Sequence, residues 1–427
     1  MLKQYNERYD ETFYETTLDN GLKVVIWHKP NFQNSQFLFA TPYGALNFNQ
    51  KDSNGNLIQF PSGIAHFLEH KMFESEKGDV MELFSQMGAN VNAFTSYNET
   101  VYYFSTTNKD IEQEVNLLLD FVQKLEISEE SVEKEKGIII QELNMYLQMP
   151  DSRLLFESFK SMYHNHPLNM DIGGSAETVS KTTLSDLMQC HALNYHPSCM
   201  VLIAVTAIDP KVLLSIIHQN QANKHFEPFK QITTYIEEEP KEVCRKEFVL
   251  PMDVSNTKSS ISFKLLPILD DVKKRVKTEW AIRFLLESYF TNLNEDYQRW
   301  LDEEIVNDFF GYEIDFGKDY AFMLFYGEME KDELHLFIKR QLELMQEKML
   351  SQEILEQIKR RYYGMYVRIF DNQESIAVNY VRNYFMNMNM YDILEILESL
   401  TVEDIVTAWN SLDLSNYCLT EIISKND

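Results

Sequence analysis

The order of strand and helix signals along the chain predicts an α+β protein made of two tandem homologous α+β domains. Three observations carry this prediction. The first half opens on strand patterns, passes into helices and returns to a strand, and the second half repeats that order. Between them lies a stretch of broken periodicity that holds Pro228, Pro240 and the run Glu237-Glu238-Glu239. The expected organisation is a first domain over 1–225, a linker over 226–243 and a second domain over 244–427. The 427 residues are enough for two such domains, each with its own core.

Each element follows from a local signal. Asp19-Asn20-Gly21 marks a turn, 22–27 then reads as a strand, and 36–41 reads as a second. A helix is predicted from a Ser62 N-cap behind Pro61 to about residue 74, because Ile64, Phe67, Leu68 and Phe73 recur at helical spacing. A shorter helix follows near 79–87. Residues 91–106 read as a hairpin, with Asn92 to Ser96 as one arm, Tyr97-Asn98 as the turn and Val101 to Phe104 as the other arm. Helices then lead to a strand at 201–205. In the second half, 259–266 is the opening strand and helices run over 275–304. Strands follow at 309–316 and 320–326, then four helices extend to Trp409 and 417–423 closes the domain.

Composition narrows the function classes. With 39 basic and 66 acidic residues the net charge is -27, which opposes any role built on neutralising phosphates, so nucleic acid is not an expected partner. Cys190, Cys199, Cys244 and Cys418 are too scattered for a disulfide framework and form no Cys-x-x-Cys pair. Residues 1–10 are polar, and no apolar run reaches the roughly 18 residues of a membrane span. These features predict a cytoplasmic protein without membrane attachment.

The informative string is His66-Phe67-Leu68-Glu69-His70, inside the first predicted helix. Histidines at i and i+4 lie one turn apart on one face and can converge on one metal ion, with Glu69 on the same side. Zinc chemistry needs these residue types: neutral imidazoles as ligands, and an uncoordinated carboxylate to take a proton from a metal-bound water. A catalytic zinc also needs a third protein ligand. The predicted helix over 129–147 offers Glu135 and Glu142, two turns apart on one face, with Ile138, Ile139 and Ile140 expected to pack inside.

These residues carry a family resemblance. His66-Phe67-Leu68-Glu69-His70-Lys71-Met72-Phe73, then Gly88 to Thr95, then Glu135 to Glu142 resemble the pitrilysin-type inverzincin zinc peptidases, which include insulin-degrading enzyme and the mitochondrial processing peptidase. The likeness is strongest over 20–205 and looks closest to half-length bacterial members. It implies one Zn²⁺ per chain held by His66, His70 and Glu142, Glu69 as general base, and Glu135 as an acid close to the site. It implies a clamshell half whose two domains face a second half around a peptide chamber, hence a homodimer or a heterodimer with a homologous subunit. It also implies that Asn92, Ala93, Phe94 and Thr95 form an edge strand that receives an extended peptide, with Phe73 lining a pocket beside it. Plain core packing is the other reading of Phe73. The acidic balance suggests basic or neutral peptides as substrates.

One departure stands out. The resemblance leads one to expect, in the second domain, an Arg followed seven residues later by a Tyr that touch the substrate. Here Arg299 is followed at that spacing by Val306. Tyr312 or Tyr320, a partner subunit, or weak turnover by the chain alone are the alternatives. A non-catalytic structural or peptide-binding subunit is therefore the rival function. Cys190, His191, His196 and Cys199 read as structural, as do His164 and His166 before Pro167, and no Gly-rich phosphate loop follows a strand.

Overall fold

Seven strands of the first half form one mixed sheet. They are β1 (Leu2–Asn6), β2 (Glu11–Thr17), β3 (Lys23–His28), β4 (Ser35–Thr41), β5 (Asn90–Thr95), β6 (Thr100–Thr106) and β7 (Val201–Thr206), in the order β1-β2-β3-β7-β4-β6-β5. The structure is a computed structural model and describes residues 1–76, 78–269 and 271–425. Strands β3 and β7 run parallel and the other neighbours antiparallel. Strands β4 and β7 are buried along their whole length, which requires cover on both faces. On one face Val24, Ile26, Phe37, Phe39, Tyr102 and Phe104 join a core with the helices Ile64–Met72, Glu112–Gln123 and Leu184–Asn194. On the other, Trp27 meets the rings of Phe370 and Tyr380, at the helix Gln373–Phe385.

The second half builds a five-stranded sheet from β8 (Glu247–Met252), β9 (Lys258–Leu265), β10 (Gly311–Phe316), β11 (Ala321–Gly327) and β12 (Tyr417–Ser424), in the order β8-β12-β9-β11-β10. Here β8 and β12 are the parallel pair. Position for position this repeats β3-β7-β4-β6-β5, including the sense of every pairing. The duplication expected from element order is therefore present in the topology. The helices Val272–Phe290, Lys331–Glu347 and Val402–Asn410 pack on one face of this sheet, and Pro150–Met162 covers the other, with Phe159 edge-on to Phe322 at 5.0 Å.

Two compact units result, and each contains one helix drawn from the opposite half of the sequence. One comprises Met1–Asn144, Asp171–Tyr235 and Val367–Phe385; the other comprises Met145–Met170, Ile236–Tyr366 and Met386–Asp427. The helix after Met149 and the helix after Asn372 occupy the same place in the repeated order, so the exchange is reciprocal.

Several elements differ from expectation. The polar N-terminus forms the β1–β2 hairpin, because an exposed edge ribbon needs no apolar period. The helices expected over 275–304 are Val272–Phe290 and Tyr297–Asp302, parted where the Asn294 side-chain amide donates to the Tyr289 carbonyl at 2.7 Å and competes with the helical ladder. Residues Ile232–Thr234, within the stretch of broken periodicity, pair with Asn49–Asp52.

Candidate metal centre

The helix Ile64–Met72 is fixed at its start by backbone, not by a hydroxyl cap. Gly63 is the N-cap with φ +88°, and a Cβ there would stand 2.2 Å from the Gly173 carbonyl oxygen. Ser62, the expected cap, instead places its hydroxyl 3.3 Å from that of Thr178. Ile64, Phe67, Leu68 and Met72 are buried in the core. That burial fixes the helix rotation and brings His66, Glu69 and His70 to the half-buried flank.

The helix Glu129–Gln148 is anchored by Val132, Ile139 and Leu143. Of the three isoleucines expected inside, Ile139 is fully buried and Ile140 half-buried, whereas Ile138 is 46% exposed, because three consecutive residues span most of a turn. The helix presents Glu135 and Glu142 to the histidines. His66 Nε2 lies 3.8 Å and His70 Nε2 3.5 Å from Glu142 Oε2. One donor atom from each of the three lies within 4.8 Å of the other two. Tetrahedral zinc with bonds near 2.1 Å has ligand edges of roughly 3.4 Å, so the donor set fits the ion with small side-chain movements.

The electrostatics suit such a site. Burial pushes the His66 imidazole down to about 4, which keeps it neutral, the form a metal ligand requires. His70 feels the same burial, yet Glu135, whose Oε1 is 3.1 Å from Nδ1, outweighs it and raises the imidazole. In return the hydrogen bond from His70 lowers Glu135, aided by the buried Lys71 ammonium 3.6 Å away. Lys71 also pairs with Glu74. With its proton on Nδ1, His70 leaves Nε2 free to coordinate.

Glu69 points to the sheet edge. Burial raises its carboxyl, against a hydrogen bond that Thr95 Oγ1 donates to Oε2 at 2.6 Å. Among the described residues strand β5 is an edge that pairs with β6 alone, with Asn92 opposite Tyr103, Ala93 opposite Tyr102 and Phe94 opposite Val101. Phe73 ends the motif helix half-buried, its ring 5.5 Å from Phe121 and 6.2 Å from Tyr102.

The second unit carries the same geometry without the ligands. Thr95 and Phe316 both end an edge strand, and each faces its hairpin partner, Thr100 or Ala321, across four residues. Glu279 receives the Phe316 amide at 3.4 Å, as Glu69 receives Thr95. Counting back from Glu279 puts Val276 and Trp280 where His66 and His70 stand, and Trp280 is packed against Tyr362 and Tyr366. Arg299 is exposed and paired with Asp296, Val306 is buried, and the hydroxyls of Tyr312 and Tyr320 donate to Glu287 and Asp315 at 2.9 and 2.8 Å.

Two features of the site are missed by sequence reasoning. The Thr95 hydroxyl is anticipated only as part of an edge, and the turn Asp171-Ile172-Gly173-Gly174 is not anticipated at all, although Gly173 lies against His66. A Gly-Gly pair read as a place of close backbone approach is the signal that could have found it.

Comparisons with known proteins agree with this arrangement. Residues 60–175 match the insulinase family, peptidase family M16, and residues 181–362 match the peptidase M16 inactive domain. The chain is 34% identical over 401 residues to the uncharacterized zinc protease YmfH of Bacillus subtilis, covering 93% of each chain. It is 29% identical over 202 residues to the mitochondrial-processing peptidase subunit beta of Saccharomyces cerevisiae, covering 46% of this chain and 42% of that one. A crystal structure of an M16-like peptidase from Alicyclobacillus acidocaldarius superposes with a TM-score of 0.91 at 30% identity, covering 97% of this chain and 99% of that one.

Proposed function

Because the chain belongs to peptidase family M16, we propose that it is a zinc-dependent endopeptidase acting on extended peptides. The observation that carries this is the convergence of His66, His70 and Glu142 within 4.8 Å, with Glu69 beside them but outside the donor set. In this reading His66 Nε2, His70 Nε2 and one Glu142 oxygen hold one zinc ion per chain. When bound, zinc supplies Lewis acidity that polarises a carbonyl and lowers the pKa of water.

The remaining steps belong to the chain's own groups. The peptide adds to β5 through main-chain hydrogen bonds, with Asn92, Ala93, Phe94 and Thr95 as the receiving strand and Phe73 beside it. Glu69 takes a proton from the attacking water and delivers it to the leaving amine; burial, which raises its carboxyl, favours that transfer near neutral pH. Thr95 fixes the carboxylate and Glu135 fixes His70.

The same reading places the chain in a dimer. Tyr312 and Tyr320 are committed to Glu287 and Asp315. The group missing at Val306 is then supplied by a second, homologous subunit that closes the peptide chamber, either another copy or a different chain. The duplicated halves are 1–225 and 244–427, joined by 226–243, each having lent one helix to the other's sheet. Four free cysteines suit a reducing cytoplasm. Among the described residues no helix is long and apolar enough to cross a membrane.

The test compares zinc content and cleavage of a mixed quenched-peptide library by the chain and its Glu69→Gln variant. Chelator-sensitive cleavage that the variant loses while keeping zinc is the expected result. Zinc without cleavage by either points to a missing partner subunit, whereas the non-catalytic reading, to which the broken Arg/Tyr pair lends support, is favoured when zinc is absent as well. Absence of zinc overturns the metal assignment.

A further inference from the structure

An imidazole that holds a metal donates its other ring N–H to a carboxylate, a carbonyl or water, and that acceptor fixes the tautomer. His70 has Glu135 for this purpose. Among the described residues His66 has no such partner, because its Nδ1 is buried without a hydrogen bond. Leaving such an atom unsatisfied is costly, so the surroundings should contain an acceptor.

The turn that begins at Asp171 passes beside this nitrogen at Gly173. A Cβ on Gly173 would stand 3.3 Å from His66 Nδ1, 3.4 Å from Asp171 Oδ1 and 2.8 Å from Leu143 Cδ2. The glycine thus leaves open a small space bordered by the nitrogen, the carboxylate and a methyl group. Leu143 offers no acceptor there. The Gly173 carbonyl is turned towards Gly63, 2.2 Å from where that residue's Cβ would be. Of the three atoms nearest that space, Asp171 Oδ1 is the acceptor. One oxygen of this carboxylate accepts the Gly173 amide at 2.8 Å.

We propose that Asp171 is the positioning residue for His66: with zinc in the site its carboxylate accepts the Nδ1–H across the space that Gly173 keeps open. The proposal rests on His66 being a metal ligand. It gives each histidine one carboxylate, Glu135 for His70 and Asp171 for His66, and it assigns Gly173 a reason to lack a side chain.

The test measures zinc affinity by competition with a chelator, for the full chain and for Asp171→Asn, Asp171→Ala and His66→Ala. It adds the ¹H–¹⁵N signal of the histidine ring N–H in zinc-loaded, histidine-labelled protein. Asparagine can still accept the Gly173 amide and keep the turn, but it is a weaker acceptor for the imidazole. The expected result is a roughly ten- to hundred-fold loss of affinity in Asp171→Ala, a smaller loss in Asp171→Asn, and movement of one ring N–H signal, absent in His66→Ala, in both variants. Affinity and signal in Asp171→Asn equal to wild type would show a purely structural turn and overturn the proposal while leaving the metal site intact. Zinc binding by none of the chains, wild type included, would overturn the ligand assignment and the proposal with it.

Discussion

His70 stands between two carboxylates, its Nδ1 3.1 Å from Glu135 Oε1 and its Nε2 3.5 Å from Glu142 Oε2. The two contacts do different work, because only the nitrogen without the proton can coordinate. Glu135→Gln should therefore bind zinc about ten- to hundred-fold more weakly while keeping the fold. Chelator competition, with thermal unfolding of the metal-free chain as control, separates this from a packing defect. An unchanged zinc affinity would remove Glu135 from the site. The effect has a second source in Lys71, which is 4% exposed and loses a carboxylate partner in the same variant.

Thr95 makes the second contact that decides function. Its hydroxyl holds Glu69 at 2.6 Å, so the proposed base is tied to the strand proposed to receive the peptide. Thr95→Val keeps the β-branched shape and removes the donor. Turnover should fall about tenfold or more, as expected for about 1.4 kcal/mol lost in the transition state, with zinc content unchanged. A rise in KM alone, with kcat intact, would mean that the hydroxyl serves the strand and not the base.

Much of this site is legible in the residues, and the illegible part has a physical reason. His66, Glu69 and His70 fall on one helix flank by spacing, and Glu135 and Glu142 on another, whereas the meeting of the two flanks is what the family resemblance implies. Gly63, Gly173 and the Asp171 turn depend on a close approach between segments about a hundred residues apart, which no local pattern encodes. The duplicated topology is readable from element order. The reciprocal transfer of Pro150–Met162 and Gln373–Phe385 is not, because an amphipathic helix states that it covers a sheet without stating which one.

Stability should depend on pH through His191. Burial pushes its imidazole down to about 4, partly opposed by the hydrogen bond to the Val122 carbonyl at 3.1 Å. Above the unfolded value of about 6.5 both states are neutral and the group has no effect. As pH falls from there towards about 4 the unfolded chain takes a proton that the folded chain refuses. Stability is then lost at up to about 1.4 kcal/mol per pH unit, levelling off below the folded value. Thermal midpoints of the metal-free chain between pH 7 and pH 4 should drop less steeply in His191→Gln than in wild type. Parallel curves would contradict the assignment.

The two edge strands make opposite offers to a peptide, and this gives the last prediction. In β10 the Ile314 carbonyl accepts Arg283 Nη2 at 2.7 Å, so a side chain of the adjoining helix occupies a backbone group that a new strand would need. In β5, hairpin register makes Ala93 the counterpart of Ile314, and among the described residues no side chain caps its carbonyl. Phe73 occupies in the first unit the helix position that Arg283 holds in the second, four residues past the glutamate, and a phenyl ring has nothing to donate. A peptide added to the Glu69→Gln chain should therefore slow amide exchange over Asn90–Thr95 and leave Gly311–Phe316 unchanged. Combining Arg283→Met with Glu69→Gln should extend the protection to Gly311–Phe316, because a methionine fills the space without blocking the carbonyl. Protection of both strands before that substitution would show that Arg283 is no barrier, and protection of neither would remove strand addition from the mechanism.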